Sequence, residues 1–332
     1  MLQTHASFQY PCLSTVKKIG LAIGCWVWVS LAQAQPASWG YPVGQRPESE
    51  ALAQSVPIAD VHMHFDIQRQ PVAQLMQRMK ESNVRWGGGV GDYTGDLQSV
   101  LGANYLPAIG QAEFTKVLLS TGEQGLLNIE HPVFVAFFLE AEALMAAGKA
   151  RGFGEIHISN RSNVAPNDPF GRSIPLDSPV VRRMYEISNA HSGFMQIHYN
   201  KDSRTVAQIV MMAQRYPKSL TIVSHCMPLG SPEDIRQIFD AVPNVMCEIS
   251  GATHLHGVKR IVTPDGINSR LLQMIEDYPD RVMMGTDPCC GLMKRYGDIV
   301  QLMRTKALAA MKPETLVKVA YQNALRVFGL PE

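Results

Sequence analysis

His62 and His64 stand one residue apart in the stretch Ile58-Ala59-Asp60-Val61-His62-Met63-His64-Phe65, the first spacing in the chain that could do chemistry. The stretch reads as a short buried strand, with Asp60, His62 and His64 on one face and Val61, Met63 and Phe65 on the other. Two imidazoles then converge on one point and supply half of a zinc-type site. A dication held there acidifies a bound water and polarises the carbonyl or phosphoryl that the water attacks. Such a site needs more ligands. Glu155, His198, His225 and Asp287 meet that need, because each lies at the end of an apolar segment, where an unpaired imidazole or carboxylate is costly to bury.

Those ends must be brought together by the elements that carry them. Apolar residues recur at helical spacing over 71–82, and a strand at 84–87 runs into a glycine-rich turn. The third strand falls within 91–130, at 105–109 or 116–119. From residue 132 the rhythm is regular: helix 132–150, strand 152–158, helix 179–190, strand 193–199, helix 203–216, strand 220–227, helix 232–241, strand 244–250. A helix ending near residue 278, a strand at 281–287 and a helical remainder, clearest at 313–328, complete it. Strands apolar on both faces between such helices imply a parallel sheet. The span 57–330 fits a single-domain α/β fold, a TIM-type (β/α)8 barrel with a C-terminal helix, whose active site lies at the C-terminal strand ends. In a closed barrel the ends of strands one, four, five, six and eight converge. In an open doubly wound sheet they would lie in a line, about 5 Å per strand, and could not share an ion. Such a sheet would also show a glycine-rich phosphate turn after its first strand, and none is present.

The chain has 332 residues with 30 Lys and Arg against 29 Asp and Glu. Residues 1–34 read as a cleavable secretory signal peptide. Lys17-Lys18 precede an apolar run at 19–31, and Ala32-Gln33-Ala34 is a small-x-small cleavage signal. The run is short for a membrane span, so a periplasmic or secreted protein is expected, with no stable membrane insertion after cleavage. Residues 35–56, rich in Pro, Gly, Gln and Ser without an apolar period, read as an extended N-terminal arm. Charge stays near zero once the two lysines are removed, which leaves no basic excess for nucleic acid or anionic membrane. The expected partner is a small-molecule substrate, and assembly into a homo-oligomer stays open. Cys226, Cys247, Cys289 and Cys290 survive cleavage. Cys247, inside an apolar strand, reads as a buried thiol; the other three are open to the disulfide that an exported protein can form.

With His62-x-His64, Glu155, His198, His225 and Asp287 in this order at strand ends, the chain resembles the metal-dependent amidohydrolase superfamily from about residue 57 to 330. The segment Asn323-Ala324-Leu325-Arg326-Val327-Phe328-Gly329 is similar to the closing helix of the amidohydrolase-related (amidohydrolase 2) branch, and Gly154-Glu155-Ile156 is similar to a strand of TatD-type hydrolases. The resemblance implies that His62, His64 and Asp287 bind one metal, and that His198 completes that site or binds a second ion. It makes His225 a ligand of the second site or a general acid/base and oxyanion partner. Glu155 either bridges two cations through its two oxygens or hydrogen-bonds behind the ligands. Two ions are favoured over one, with zinc first and manganese, iron or nickel compatible. Asp287 then takes the proton from the metal-activated water and passes it to the leaving group.

The activity implied is hydrolysis of an amide, lactone or other ester bond in a small organic molecule. The alternative within the family is a one-metal, non-oxidative decarboxylase of an aromatic or related acid. A TatD-like phosphodiesterase fits the neutral charge poorly, and a non-catalytic binding barrel would not need the proton-accepting aspartate. Substrate contacts are sought at His157, which shares the strand face of Glu155 one step nearer the mouth, and at His254 and His256 after the seventh strand. Arg161 and Arg172, after the fourth, could clamp a substrate carboxylate. Each of the five is open to a purely structural or solvated role. Asp60 is expected to orient its neighbours, and Glu248, inward on the seventh strand, to bond within the barrel.

Overall fold

Eight parallel strands alternate with helices in the computed structural model, which describes residues 40–65, 71–91, 93–161, 168–251, 262–289 and 292–332; Pro42–Val43, Val262–Thr263 and Gly266–Asn268 form a small antiparallel sheet apart from them. The strands are β1 (Ile58–Asp60), β2 (Val84–Gly88), β3 (in two pieces, Tyr105–Leu106 and Ala108–Ile109) and β4 (Gly152–Ser159). They continue as β5 (Phe194–Tyr199), β6 (Leu220–Val223), β7 (Val245–Glu248) and β8 (Val282–Met283). Pro107 divides β3 because it has no N–H to give the ladder. Residues 116–119, the other candidate for this strand, lie in the helix Gln111–Leu127. Sequence neighbours pair in parallel from β1 to β8. The ring closes just beyond β1 and β8, where Val61 N donates to Met284 O at 3.1 Å and Asp287 N donates to His62 O at 2.8 Å. The fold is a (β/α)8 barrel.

Strand alternation sets its layers. In β5, Met195, Ile197 and Tyr199 join the large apolar core shared with the helices, while Phe194, Gln196 and His198 share the opposite face. Phe194 belongs to a second cluster with Ala59, Trp86, Leu106, Ala108, Ile222, Met246 and Met283, drawn from nearly every strand and therefore inside the ring. Phe328 and Leu330 of the C-terminal segment pack onto it, and Trp86 Nε1 donates to Pro331 O at 2.9 Å. Full burial of a side chain of this size contributes roughly 1.5–3 kcal/mol. The result is an apolar floor, a polar middle layer and ligand-type side chains at the top.

The structure departs from the sequence reading in several places. The arm contains a helix, Pro47–Ser55, started by Pro47 with Glu48 and Glu50 in its first turn. Ala53 is its one buried apolar side chain, so no amphipathic period marks it. Asp60 faces away from His62, because the chain bends after β1. Its carboxylate accepts from Thr286 N at 3.0 Å, Tyr296 Oη at 2.9 Å and His62 N at 3.2 Å. The expected strand 220–227 stops at Val223, since His225, Cys226 and Met227 all take positive φ. The C-terminal helix is interrupted by a π-turn, Lys318–Gln322, and Val319 O accepts from Met284 N at 3.0 Å, tying the helix to β8. Among the described residues no helix is long and apolar enough to cross a membrane. The signal-peptide segment lies outside them.

Cys247 is not a thiol. It forms a disulfide with Cys226 across β6 and β7, with Cα atoms 4.8 Å apart and a sequence separation of 21. A crosslink closing a loop of that length stabilises the fold by about 3 kcal/mol through the unfolded state. Urea unfolding in the presence of a thiol reductant is expected to show that loss relative to the oxidised protein. A midpoint unmoved by reduction, with both thiols titrating, would contradict it.

Candidate metal centre

Three of the residues expected to do chemistry sit where the backbone is forced into the left-handed region: Glu155 at φ 33°, His225 at φ 57° and Asp287 at φ 52°. Each such residue costs on the order of 1–3 kcal/mol, and such strain gathers at sites that need a side chain aimed off the regular lattice. In β4 the pairing with β5 slips between Phe153 and Ile156, a bulge that turns Glu155 inward and leaves His157 opposite His198. Ile156 and Ile158 point into the outer core. His225 follows β6 and Asp287 follows β8, at the same end of the ring as His62 and His64.

The six side chains meet around Glu155, which is 3% exposed. Its Oε2 lies 3.4 Å from His62 Nε2 and 3.2 Å from His64 Nε2, and Asp287 Oδ1 lies 3.7 and 3.3 Å from the same two nitrogens. Its Oε1 lies 3.0 Å from His157 Nε2, 3.2 Å from His198 Nδ1 and 3.5 Å from His225 Nε2, and the last two are 3.2 Å apart. One carboxylate thus faces two separate donor sets. Gln111 Nε2 also donates to Oε2, at 3.0 Å.

Both sets fit a cation. Ligand atoms bonded at about 2.0–2.1 Å around a tetrahedral ion stand about 3.3 Å from one another, which is the spacing seen in each set. The Nε2 atoms of His62, His64 and His157 are buried and make no hydrogen bond among the described residues, as nitrogens aimed at an ion would be; His198 turns Nδ1, not Nε2, towards Glu155 and His225. The carboxylates and imidazoles of the cluster shift one another's protonation. Burial opposes charge on His64, but the carboxylates of Asp287 and Glu155 beside its Nε2 push it up to about 10. His62 and His225 are also raised against burial, His62 chiefly by the charges of Glu155 and Glu248, and His225 by its contact with Glu155. The carboxylates respond in the opposite sense: against burial, the histidines hold Glu155 and Asp287 well below the usual range. His157 differs. Burial, opposed by Glu155 and reinforced by Arg172 and His198, pushes it down to about 3, so it is neutral at working pH.

Raised histidines bind protons that an incoming dication must expel. Zinc added to metal-free protein in weak buffer at pH 7 is therefore expected to release protons. The apparent affinity should weaken about tenfold per pH unit for each proton displaced as pH falls. Affinity independent of pH between 6 and 9, with no proton release, would contradict the assignment.

A family profile for amidohydrolases matches residues 59–330. The chain belongs to the amidohydrolase family. It is a metal-dependent enzyme of that superfamily, with the fold its solved structures share. Dihydroorotase from Campylobacter jejuni superposes with a TM-score of 0.50 at 11% identity, covering 83% of this chain and 84% of the other. An amidohydrolase from Burkholderia multivorans with bound zinc gives 0.44 at 17% identity, covering 79% and 88%. 2,6-Dihydroxybenzoate decarboxylase from Rhizobium gives 0.46 at 14%, covering 88% and 97%. No protein of curated function matches the chain in sequence.

In this amidohydrolase the barrel brings His62, His64, Glu155, His198, His225 and Asp287 together, and adds His157 to the second donor set. Arg161 is exposed and pairs with Glu123 on the surface. Arg172 is buried, donating from Nε to His157 O at 3.2 Å and from Nη1 to Phe170 O at 2.9 Å. His254 and His256 lie outside the described residues, as does Cys290. Gln111 and Gln196 were not anticipated. The Gln196 amide lies 3.1 Å from His62 Nδ1, and its place two residues before His198 on one strand face was the available signal.

Proposed function

We propose that this enzyme hydrolyses an amide, lactone or other ester bond in a small organic molecule, using two divalent cations, zinc by preference. The observation that carries the reading is the division of Glu155, whose two oxygens face separate sets of histidines. Bound there, a dication acidifies water and polarises the bond to be broken. Asp287, ionised and 3.3 Å from His64 Nε2, accepts the proton of the attacking water and returns it to the leaving group. His225, 4% exposed and directed at Glu155 and His198, serves as a ligand of the second set.

Substrate meets His64 and His157 first, whose side chains are 18% and 20% exposed against 6% or less for the rest of the cluster. Neutral His157 can contact a carbonyl without adding charge. Arg172 carries a buried positive charge with no carboxylate in ion-pair contact among the described residues, which favours a substrate bearing an anionic group nearby. The near-neutral chain supports a small-molecule partner over nucleic acid. The apolar run behind Lys17-Lys18 and the Cys226–Cys247 disulfide support export to an oxidising compartment.

Elemental analysis of zinc-supplemented protein, joined to a panel of esters, lactones and amides, tests this. Two ions per chain and turnover that is lost with a chelator and restored by metal are expected. One ion with release of carbon dioxide from aromatic acids would replace the reading with the decarboxylase.

A further inference from the structure

Strand β7 contributes to neither donor set, yet its end holds the centre in place. Glu248 is fully buried, and its Oε1 accepts from His62 Nδ1 at 2.8 Å and from the backbone N–H of His225 at 2.9 Å. The other oxygen accepts from Ser250 N at 2.6 Å, and Ser250 Oγ and O lie 2.9 and 3.2 Å from His225 Nδ1. With Nδ1 held on a carboxylate, Nε2 is the nitrogen that His62 turns towards Glu155 and Asp287 and leaves for a cation. The same oxygen grips the backbone of His225 at its strained φ of 57°. Two further features confine Glu248. A Cβ on Gly285 would stand 2.7 Å from its Oε2 and 2.8 Å from His62 Cβ, so only glycine allows this approach. Cys247 is joined by its disulfide to Cys226, the residue after His225.

We propose that Glu248 is the positioning residue of the metal centre, fixing His62 in the tautomer that ligates through Nε2 and fixing His225 through its backbone. The proposal rests on the reading of His62 and His225 as metal ligands. Glutamine at 248 keeps the shape but must turn its NH2 towards donors, either His62 Nδ1 and His225 N or Ser250 N, so one side of the grip is lost, and the charge with it, without emptying the space.

Zinc affinity, measured by competition with a chromophoric chelator, is expected to fall roughly 10–100-fold in Glu248→Gln. The circular dichroism and thermal unfolding of the metal-free variant should stay near those of the parent, and the visible bands of the cobalt(II) form should shift. A folded Glu248→Gln protein that binds zinc within threefold of the parent, with unchanged cobalt bands, overturns the proposal while leaving the metal reading intact. Failure of the parent itself to bind zinc removes the reading beneath it. Should Glu248→Gln not fold, anomalous diffraction from zinc-loaded parent crystals decides. Ligation through His62 Nε2 with Nδ1 on Glu248 supports the proposal, and ligation through Nδ1 or by Glu248 itself overturns it.

Discussion

Asp287→Asn is expected to lower kcat roughly 10²–10⁴-fold at saturating metal, the usual contribution of a general base. The substitution removes the proton acceptor, and with it the charge that Asp287 presents to His62 and His64, so the comparison is made with metal in excess. Asparagine has the same shape, and it tolerates the left-handed backbone that position 287 requires as well as aspartate does. The backbone N–H of residue 287, which bonds to His62 O and closes the barrel, is untouched. Circular dichroism and the thermal midpoint should therefore stay close to the parent. A loss below about tenfold with an unchanged fold would show that another group takes the proton.

Glu155→Gln should have the second large effect, on metal content as well as rate. Among the described residues the parent carboxylate is in ion-pair contact with both donor sets, and its charge offsets the imidazoles around it. Leaving one partner of a buried charged cluster unpaired costs about 3–5 kcal/mol, and on the two-ion proposal the loss would fall on the donor set around Oε1. Bound zinc should drop from about two ions to about one, with kcat reduced at least about 100-fold. Retention of both ions would mean that Glu155 acts behind the ligands and not between them. The Asp287 set should keep its ion in this variant, so the two substitutions separate proton transfer from charge bridging.

The residues of the cluster were legible because a parallel barrel converts sequence order into convergence: wherever an apolar run stops, the next polar side chain lands at one end of the ring. His62, His64, His198, His225 and Asp287 follow that rule, whereas Glu155 lies inside β4 and is turned inward by the bulge after Phe153. Asp60 does not, because the bend after β1 breaks the alternation that would have placed it beside His62. Glu248 and Gln196 were readable as inward-facing, but their grip on His62 depends on which strands lie across the ring. Cys226 and Cys247 pair because β6 and β7 run in register, Val223 opposite Cys247, and no spacing in the chain announces that. The helix Pro47–Ser55 was hidden by its single buried apolar residue. His157 was placed near the mouth correctly by its strand face, while its contact with Glu155 depended on the bulge in β4.

The apolar floor carries one more implication. Phe194, Ile222 and Met246 meet Phe328 and Leu330 beneath the polar layer, so among the described residues the ring is sealed at that end. Among the described residues, reactants and products then meet the cluster from the side of His64 and His157, its more exposed members. Progress curves should accordingly slow as product accumulates, with added product competing directly against substrate.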